Sequence, residues 1–308
     1  TMENCGYGFA AVGTSNVTLR WLSVYSASYG IYLRSADGVH IKHCSVEDSI
    51  FGVYIRDSNS THICDGVYRN NTHNIVIWNS HNIHLCHPSI LGDFYGVIVL
   101  KSQNVKISCA DIRFHGMAGL LVHSSENVMM KHSTVTNNTH GIVALKSRLV
   151  HVKHTLVENN SYYGVYLHRV DSFLGVDLTL SGNREYGLVA SSCVSSRIVV
   201  SEAVNNSRDV FIVGSENVSV TGGSFRSLGT SIGLLYSDNV SVRNVDVYGY
   251  RLDPTVPGMY VLCSSDARIV NVRLYDSPVM IDDYDLNRLL SINIENTLLD
   301  GKPVVMVK

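Results

Sequence analysis

The chemistry on offer in this sequence begins with four side chains. The segments NSTHICD, from Asn59 to Asp65, and SHNIHLCHP, from Ser80 to Pro88, both carry His-x-Cys, which sets His62/Cys64 and His84/Cys86 22 residues apart. Imidazole nitrogen and thiolate sulfur are donors that zinc and copper accept. His40, another 22 positions earlier, is a fifth candidate. Two pairs become one site only if a repeating element brings them side by side, so the spacing itself needs an explanation.

That element runs through the whole chain. Segments starting at Asn16 (NVTLRWLSV), Gly38 (GVHIKHCSV), Asn82 (NIHLCHPSI), Asn104 (NVKISCADI), Asn127 (NVMMKHSTV) and Asn239 (NVSVRNVDV) superpose without gaps. Weaker copies start at Ser60, Leu149, Ser172, Ser196, Asn217, Asp266 and Leu286, giving 13 rows whose starts are mostly 22 or 23 residues apart. A glycine followed by an apolar triplet, as in Gly30 to Leu33 and Gly52 to Ile55, usually precedes each row by eight residues. A period of this length is the mark of a solenoid.

Within a row, apolar residues alternate with polar ones, which is the periodicity of a strand. Val17/Leu19, Val39/Ile41, Ile83/Leu85 and Val105/Ile107 point one way, and Leu22/Val24 or Cys44/Val46 repeat the pattern after a turn. An Asn-rich corner follows (RNNT, TNNT, ENNS, VNNS), then the glycine and a third strand. Three short strands and three corners per row make one coil of an all-β, single-stranded, right-handed parallel β-helix with three short sheets. Thirteen coils at strand spacing give a rod about 60 Å long. Residues 1–285 are expected to form the helix, with an incomplete first coil, and residues 286–308 its last coil and closing segment. A leucine-rich repeat has a similar period but needs an LxxLxLxxN frame, which is absent.

On this scaffold the third and fifth residues of each row face outward from the first sheet. Neighbouring rows lie about 4.8 Å apart, and residues two apart along a strand about 6.6 Å. His62, Cys64, His84 and Cys86 then form the corners of a small rectangle with His40 one row below, the geometry of a zinc or copper site. The same spacing permits a Cys64–Cys86 disulfide. A solvated face of His, Thr, Lys and Arg would look alike, so the rows are structural first and metal-binding second. His43, His87, His132 and His154 form another column at the first corner.

Rows of the form N-[VI]-x-[IL]-x-x-x-x-V, an NN corner and G-[IV]-Y-L resemble the right-handed β-helical repeats of the NosD-like family and the wider carbohydrate-binding and sugar-hydrolase group of the pectin-lyase-like superfamily. NTLLDGKPVVMV near the end is similar to segments that close such repeats in archaeal and bacterial surface proteins. The resemblance implies the fold and an extracytoplasmic setting, but little about activity. Sugar-cleaving members use clustered carboxylates. The polygalacturonase-like NxD, DD, GHG and RxK set and the epimerase-like YG[FI]DPH motif are missing. The densest acidic group, Asp282, Asp283 and Asp285, reads as a solvated corner.

Net charge is −2, which argues against nucleic acid. The charge is uneven: residues 1–170 hold 13 Lys/Arg, 10 Asp/Glu and all 14 histidines, and residues 171–308 hold 11 Lys/Arg against 16 Asp/Glu. No apolar run spans a membrane, and seven scattered cysteines do not form a disulfide framework. The opening residues show no signal-peptide core. They begin inside a row, so that end is expected to meet a partner or a neighbouring domain.

The third strand carries an anomaly. Between its inward pairs stands a column that should be polar, yet it reads Tyr32, Tyr54, Val76, Ile98, Leu121, Val143, Tyr166, Val189, Phe211, Gly233, Tyr260 and Met280. Strands apolar on both faces are usually covered on both. The stripe is therefore expected to meet a second copy, another domain or a glycan, although strand propensity alone would favour the same residues. The sequence points to a non-enzymatic, structural or adhesive β-helical protein of the cell surface, extracellular space or periplasm, acting in an assembly and contacting carbohydrate. The alternatives are a polysaccharide lyase, glycoside hydrolase or uronate epimerase, and a NosD-like periplasmic metal-binding protein. No cofactor is expected beyond zinc or copper at the quartet.

Overall fold

The computed structural model describes residues 1–249 and 256–304 of the chain. Two compact units are present, residues 1–156 and 157–308. Each is a stack of right-handed parallel β-helical coils. The first unit holds seven third strands, from Tyr7–Val12 through Tyr29–Arg34, Phe51–Arg56, His73–Trp78, Tyr95–Leu100 and Ala118–His123 to His140–Leu145. The second holds six, from Tyr163–His168 to Val279–Asp282, for 13 in all.

Alternation dictates which side chains enter the coil. Ile31 and Leu33, Val53 and Ile55, Ile75 and Ile77, and Val97 and Val99 are fully buried, and each pair lies in register on its neighbour. First strands behave alike: Ile41 pairs with Ile63, and Ile83 and Leu85 with Val105 and Ile107. A slip of one residue would turn every one of these side chains to water, so the register is strongly specified.

The expected three sheets become two. The third strands form their own sheet, while first and second strands share the other. The turn between first and second strands is one left-handed residue, such as Trp21 (φ 58°), His43 (φ 51°), Asp65 (φ 55°) or His87 (φ 49°). Its N–H donates to the carbonyl of the coil above, as from His43 to Cys64 at 3.1 Å. So slight an interruption lets the strand continue as a bulge, and Arg148–Glu158, Ser241–Tyr248 and Arg268–Tyr275 each run straight through it.

The second corner is lined inside by amide side chains. Asn71 Oδ1 accepts from the Ser49 N–H at 2.9 Å, and Asn206 Oδ1 from the Asn183 N–H at 2.9 Å. Glycine follows because backbone passes close: a Cβ on Gly52 would lie 2.4 Å from the Asn74 carbonyl oxygen. In two places a titratable residue enters this lining. His115 is 2% exposed, with Nδ1 2.8 Å from Asn138 Oδ1 and Nε2 3.2 Å from Asn74 Nδ2. The partners fix its tautomer, since Nδ1 must donate to the carboxamide oxygen and Nε2 accept from the amide nitrogen. Asp209, fully buried in the second unit, accepts from Asn206 Nδ2 at 2.9 Å, and its other oxygen makes no hydrogen bond.

After the last third strand the chain closes with a short helix, Leu286–Ser291, capped by Asp285. Asn293–Glu295 and Leu298–Leu299 then pair parallel to Arg268–Tyr275, and Lys302–Pro303 turns back antiparallel on Leu298–Leu299. Residues 305–308 of the expected closing segment lie outside the described residues. Among the described residues no helix is long and apolar enough to cross a membrane.

Candidate functional site

The four donors singled out by spacing do come together. In-register pairing sets His84 opposite His62, and Cys86 opposite Cys64, with His40 opposite His62 on the other side. Imidazole centroids are 5.1 Å apart for His40 and His62, and 5.7 Å for His62 and His84. His84 Nε2 lies 3.0 Å from Ser108 Oγ. The quartet nevertheless differs from the expected set of free ligands, because Cys64 and Cys86 form a disulfide with a Cα separation of 4.6 Å. Parallel pairing places the two sulfurs closer to each other than either is to an imidazole two residues away, so the bond forms within its own column.

The surroundings disfavour the charged form of two of these imidazoles, His62 and His84. Desolvation, then the charges of His40 and Lys42, holds His62 below the usual histidine value. Desolvation, then Lys106 and the other imidazoles and lysines nearby, does the same at His84. Neutral imidazole suits a metal, but a disulfide supplies no thiolate. Among the described residues no group of three or more His, Cys, Asp or Glu is arranged to hold a metal ion.

The outward column of the third strands is not the open stripe that its sequence suggests. In the first unit Val76 is 4% exposed, and Tyr54, Ile98 and Val143 are also buried, while Tyr32 and Leu121 are half-buried. The cover comes from the chain itself: Tyr29, Tyr32, Phe51, Tyr95, Leu100 and Leu121 pack around Tyr54, Val76 and Ile98. In the second unit Val189 and Phe211 are buried, Tyr166 and Tyr260 half-buried, and Met280 is 49% exposed. Phe211 lies across Gly233, where a Cβ would come within 2.4 Å of its ring.

What covers the first-unit column is a feature that the outward stripe alone did not reveal. Tyr7, Tyr29, Phe51, His73 and Tyr95 stack as five rings on five consecutive coils, with centroids 5.3, 4.9, 5.0 and 5.6 Å apart. Tyr32 and Tyr54 stack beside them at 5.8 Å, edge-on to Tyr29 and Phe51. Because the planes are near-parallel along the stack, neighbouring rings cover one another's faces and leave their edges uncovered. The signal was present in the sequence as the residue before each corner glycine: Tyr7-Gly8, Tyr29-Gly30, Phe51-Gly52, Tyr95-Gly96. On the far edge of the same strands Arg34 pairs in register with Arg56, whose guanidinium sits 5.1 Å over the Trp78 ring.

Directly before this ladder in every coil comes the second corner, and there the first unit carries an open trough of about 710 Å³. Asn4, Ser26, Asp48, Asn70, Thr72 and Asp93 contribute to its walls. Hydroxyls, carboxamides and carboxylates thus lie along one side of a row of aromatic edges. The acidic group near the end of the chain has a different job from the solvated corner expected of it. Arg288 bonds both oxygens of Asp283, at 2.7 and 2.8 Å, holding that carboxyl well below the usual range, and Asp285 caps the short helix.

The fold is that of the right-handed parallel β-helix proteins. The chain belongs to the NosD family: the model for "Periplasmic copper-binding protein (NosD)" matches residues 1–113 and 65–228. Among solved structures, the periplasmic alginate epimerase AlgG is 14% identical over 95% of this chain and 78% of its own, with a TM-score of 0.70. The A-module of Azotobacter vinelandii mannuronan C-5 epimerase AlgE6 is 12% identical over 90% of both chains, at 0.59. An N-terminal fragment of bacteriophage Phi29 gene product 12 is 15% identical over 91% of this chain and 62% of its own, at 0.60. At such identities the likeness is one of fold. No curated protein matches the chain.

Proposed function

We propose that this protein is a non-enzymatic, extracytoplasmic β-helical protein that holds a neutral polysaccharide along the second corner of its first unit. The observation that carries this reading is the polar trough of Asn4, Ser26, Asp48, Asn70, Thr72 and Asp93 lying beside the stacked rings of Tyr7, Tyr29, Phe51, His73 and Tyr95. Sugar recognition combines hydroxyl contacts with apolar contact to the ring, and few other ligands repeat both at the spacing of successive coils. Asp48 and Asp93 in the trough disfavour a polyanion there and suit hydroxyl-rich neutral chains. The family description supports a periplasmic setting, and the fold is shared with proteins named for action on alginate and mannuronan. Association with a second copy or another domain belongs to the same proposal where the third-strand column is open, at Met280 beside the half-buried Tyr260.

Affinity electrophoresis through a panel of neutral and uronic polysaccharides, with product detection on the same samples, tests the reading. Retardation by a neutral polymer without new reducing ends or unsaturated products is expected, and Tyr29→Ala with Tyr95→Ala should abolish it. Retardation by none of the polymers would remove the proposal, and product formation would replace it by a lyase, hydrolase or epimerase.

A further inference from the structure

The Cys64–Cys86 disulfide has little to do as a staple. Strands Asn59–Cys64 and His81–Cys86 are already paired in register from Asn59 and His81 to the cysteines themselves, and the Asp65 N–H continues the ladder to the Cys86 carbonyl at 2.9 Å. Both cysteines are only partly buried, on the outward face of the first sheet. The same column holds Arg20, Lys42, Lys131 and Lys153 on other coils, side chains that solvent alone accounts for, and the buried Ser108 on the coil next to Cys86. Sulfur appears in this column on two adjacent coils, and each sulfur has an imidazole two residues before it on the same face.

We propose that the Cys64–Cys86 bond gates a metal site: once a dithiol reductant opens it, the two sulfurs and the imidazoles of His62 and His84 take one thiophilic d10 ion, Cu(I) or Zn(II). Two electrons and two protons pass from the dithiol, which becomes a disulfide, to Cys64 and Cys86. Metal binding then releases both thiol protons to solvent and leaves the oxidation state of the ion unchanged. Two nitrogens and two sulfurs converging from a rectangle about 4.8 by 6.6 Å match tetrahedral coordination. The Ser108 hydroxyl against His84 Nε2 supplies the outer contact that orients a ligating imidazole. Lys42, opposite Cys64, leaves a positive charge beside the anionic bis-thiolate. In the oxidised state the sulfurs are bonded to each other and the site is closed. This inference concerns the first sheet and stands independently of the polysaccharide reading, which concerns the trough and the third.

The full chain is reduced with a phosphine, freed of it anaerobically and titrated with Cu(I) held by bicinchoninate, and separately with Zn(II) against a chromophoric chelator. The reduced protein should bind a single equivalent and the oxidised protein none, and bound metal should protect both thiols from alkylation. His62→Ala with His84→Ala keeps both cysteines and should weaken binding at least tenfold, while Cys64→Ser with Cys86→Ser should abolish it in either state. Equal binding by oxidised and reduced protein, no binding by reduced protein, or unchanged binding by the histidine variant would each overturn the proposal. The comparison of the two redox states needs no variant to fold.

Discussion

The two units repeat the same coil and respond to protons in opposite directions. The first contains every histidine but His168, and 12 Lys/Arg against 9 Asp/Glu; the second has 12 Lys/Arg against 17 Asp/Glu. Inside the second corner the contrast sharpens to one residue in each. Burial pushes His115 down to about 4, and pushes Asp209 up to about 8, so both are neutral near pH 7. Desolvation penalises whichever form is charged, and the same apolar surroundings therefore act on a base and an acid with opposite sign. The lining of this corner tolerates a titratable group that stays uncharged.

Linkage turns the two shifts into opposite pH responses. The His115 contribution is fully present above the unfolded value of 6.5 and is lost as pH falls through about 4. Asp209 has a raised value, so its folded form keeps a proton the unfolded chain gives up; its contribution is full below 3.8 and is lost as pH rises towards about 8. Desolvation also holds His73, His140 and His151 below the usual range, adding to the acid sensitivity of the first unit.

The comparison can be broken at either residue, and the largest effect belongs to Asp209. Asp209→Asn keeps the acceptor for Asn206 and removes the charge, so the second unit should gain several kcal/mol at pH 9 and little at pH 4. Hydrogen exchange across residues 157–249 reads this directly, and equal protection at both pH values in the wild type would contradict it. His115→Asn should remove about 3 kcal/mol from the acid limb of the first unit between pH 6.5 and 4. Denaturant midpoints across that range measure it; an unchanged acid limb would place the sensitivity in other histidines.

Reduction of Cys64–Cys86 is expected to take about 2 kcal/mol from the first unit, at the low end for such a bond because the strands are already paired. Among the described residues of the second unit the cysteines, Cys193 and Cys263, are free, so its exchange should not move. Loss of protection in both units would end the contrast. The smallest effect comes from Arg56→Gln, which removes the cation over Trp78 and should cost under about 1 kcal/mol in the first unit by thermal melting.

The inward pairs, the coil period and the glycine before each third strand were legible because each is a steric or solvation rule that the repeat states many times. The column of Tyr54, Val76 and Ile98 misled for a definable reason. Judged within one strand, a residue pointing away from the core appears open, but in the stack its cover comes from other coils and from the ring three positions earlier. The Cys64–Cys86 pairing was one of several geometries that the spacing allowed, and choosing among them required the positions of the sulfurs. His115 and Asp209 each occur once, and single occurrences are invisible to a method that reads repetition.

The left-handed corners have an evolutionary consequence. One residue at positive φ per turn excludes Val, Ile and Thr on steric grounds and favours Asn, Asp, His, Ser and Gly. Seven of the eight Asn-x-Ser/Thr sequences, at Asn16, Asn70, Asn137, Asn159, Asn205, Asn217 and Asn239, have their asparagine at such a position. His43, His87, His132 and His154 are there for the same reason, at φ of 51, 49, 50 and 48°. Drift at these corners is thus weighted towards side chains that hydrogen-bond, titrate or ligate, with Phe114 and Leu149 as exceptions. The backbone thereby keeps the edges of the helix supplied with polar and titratable groups before any ligand selects among them.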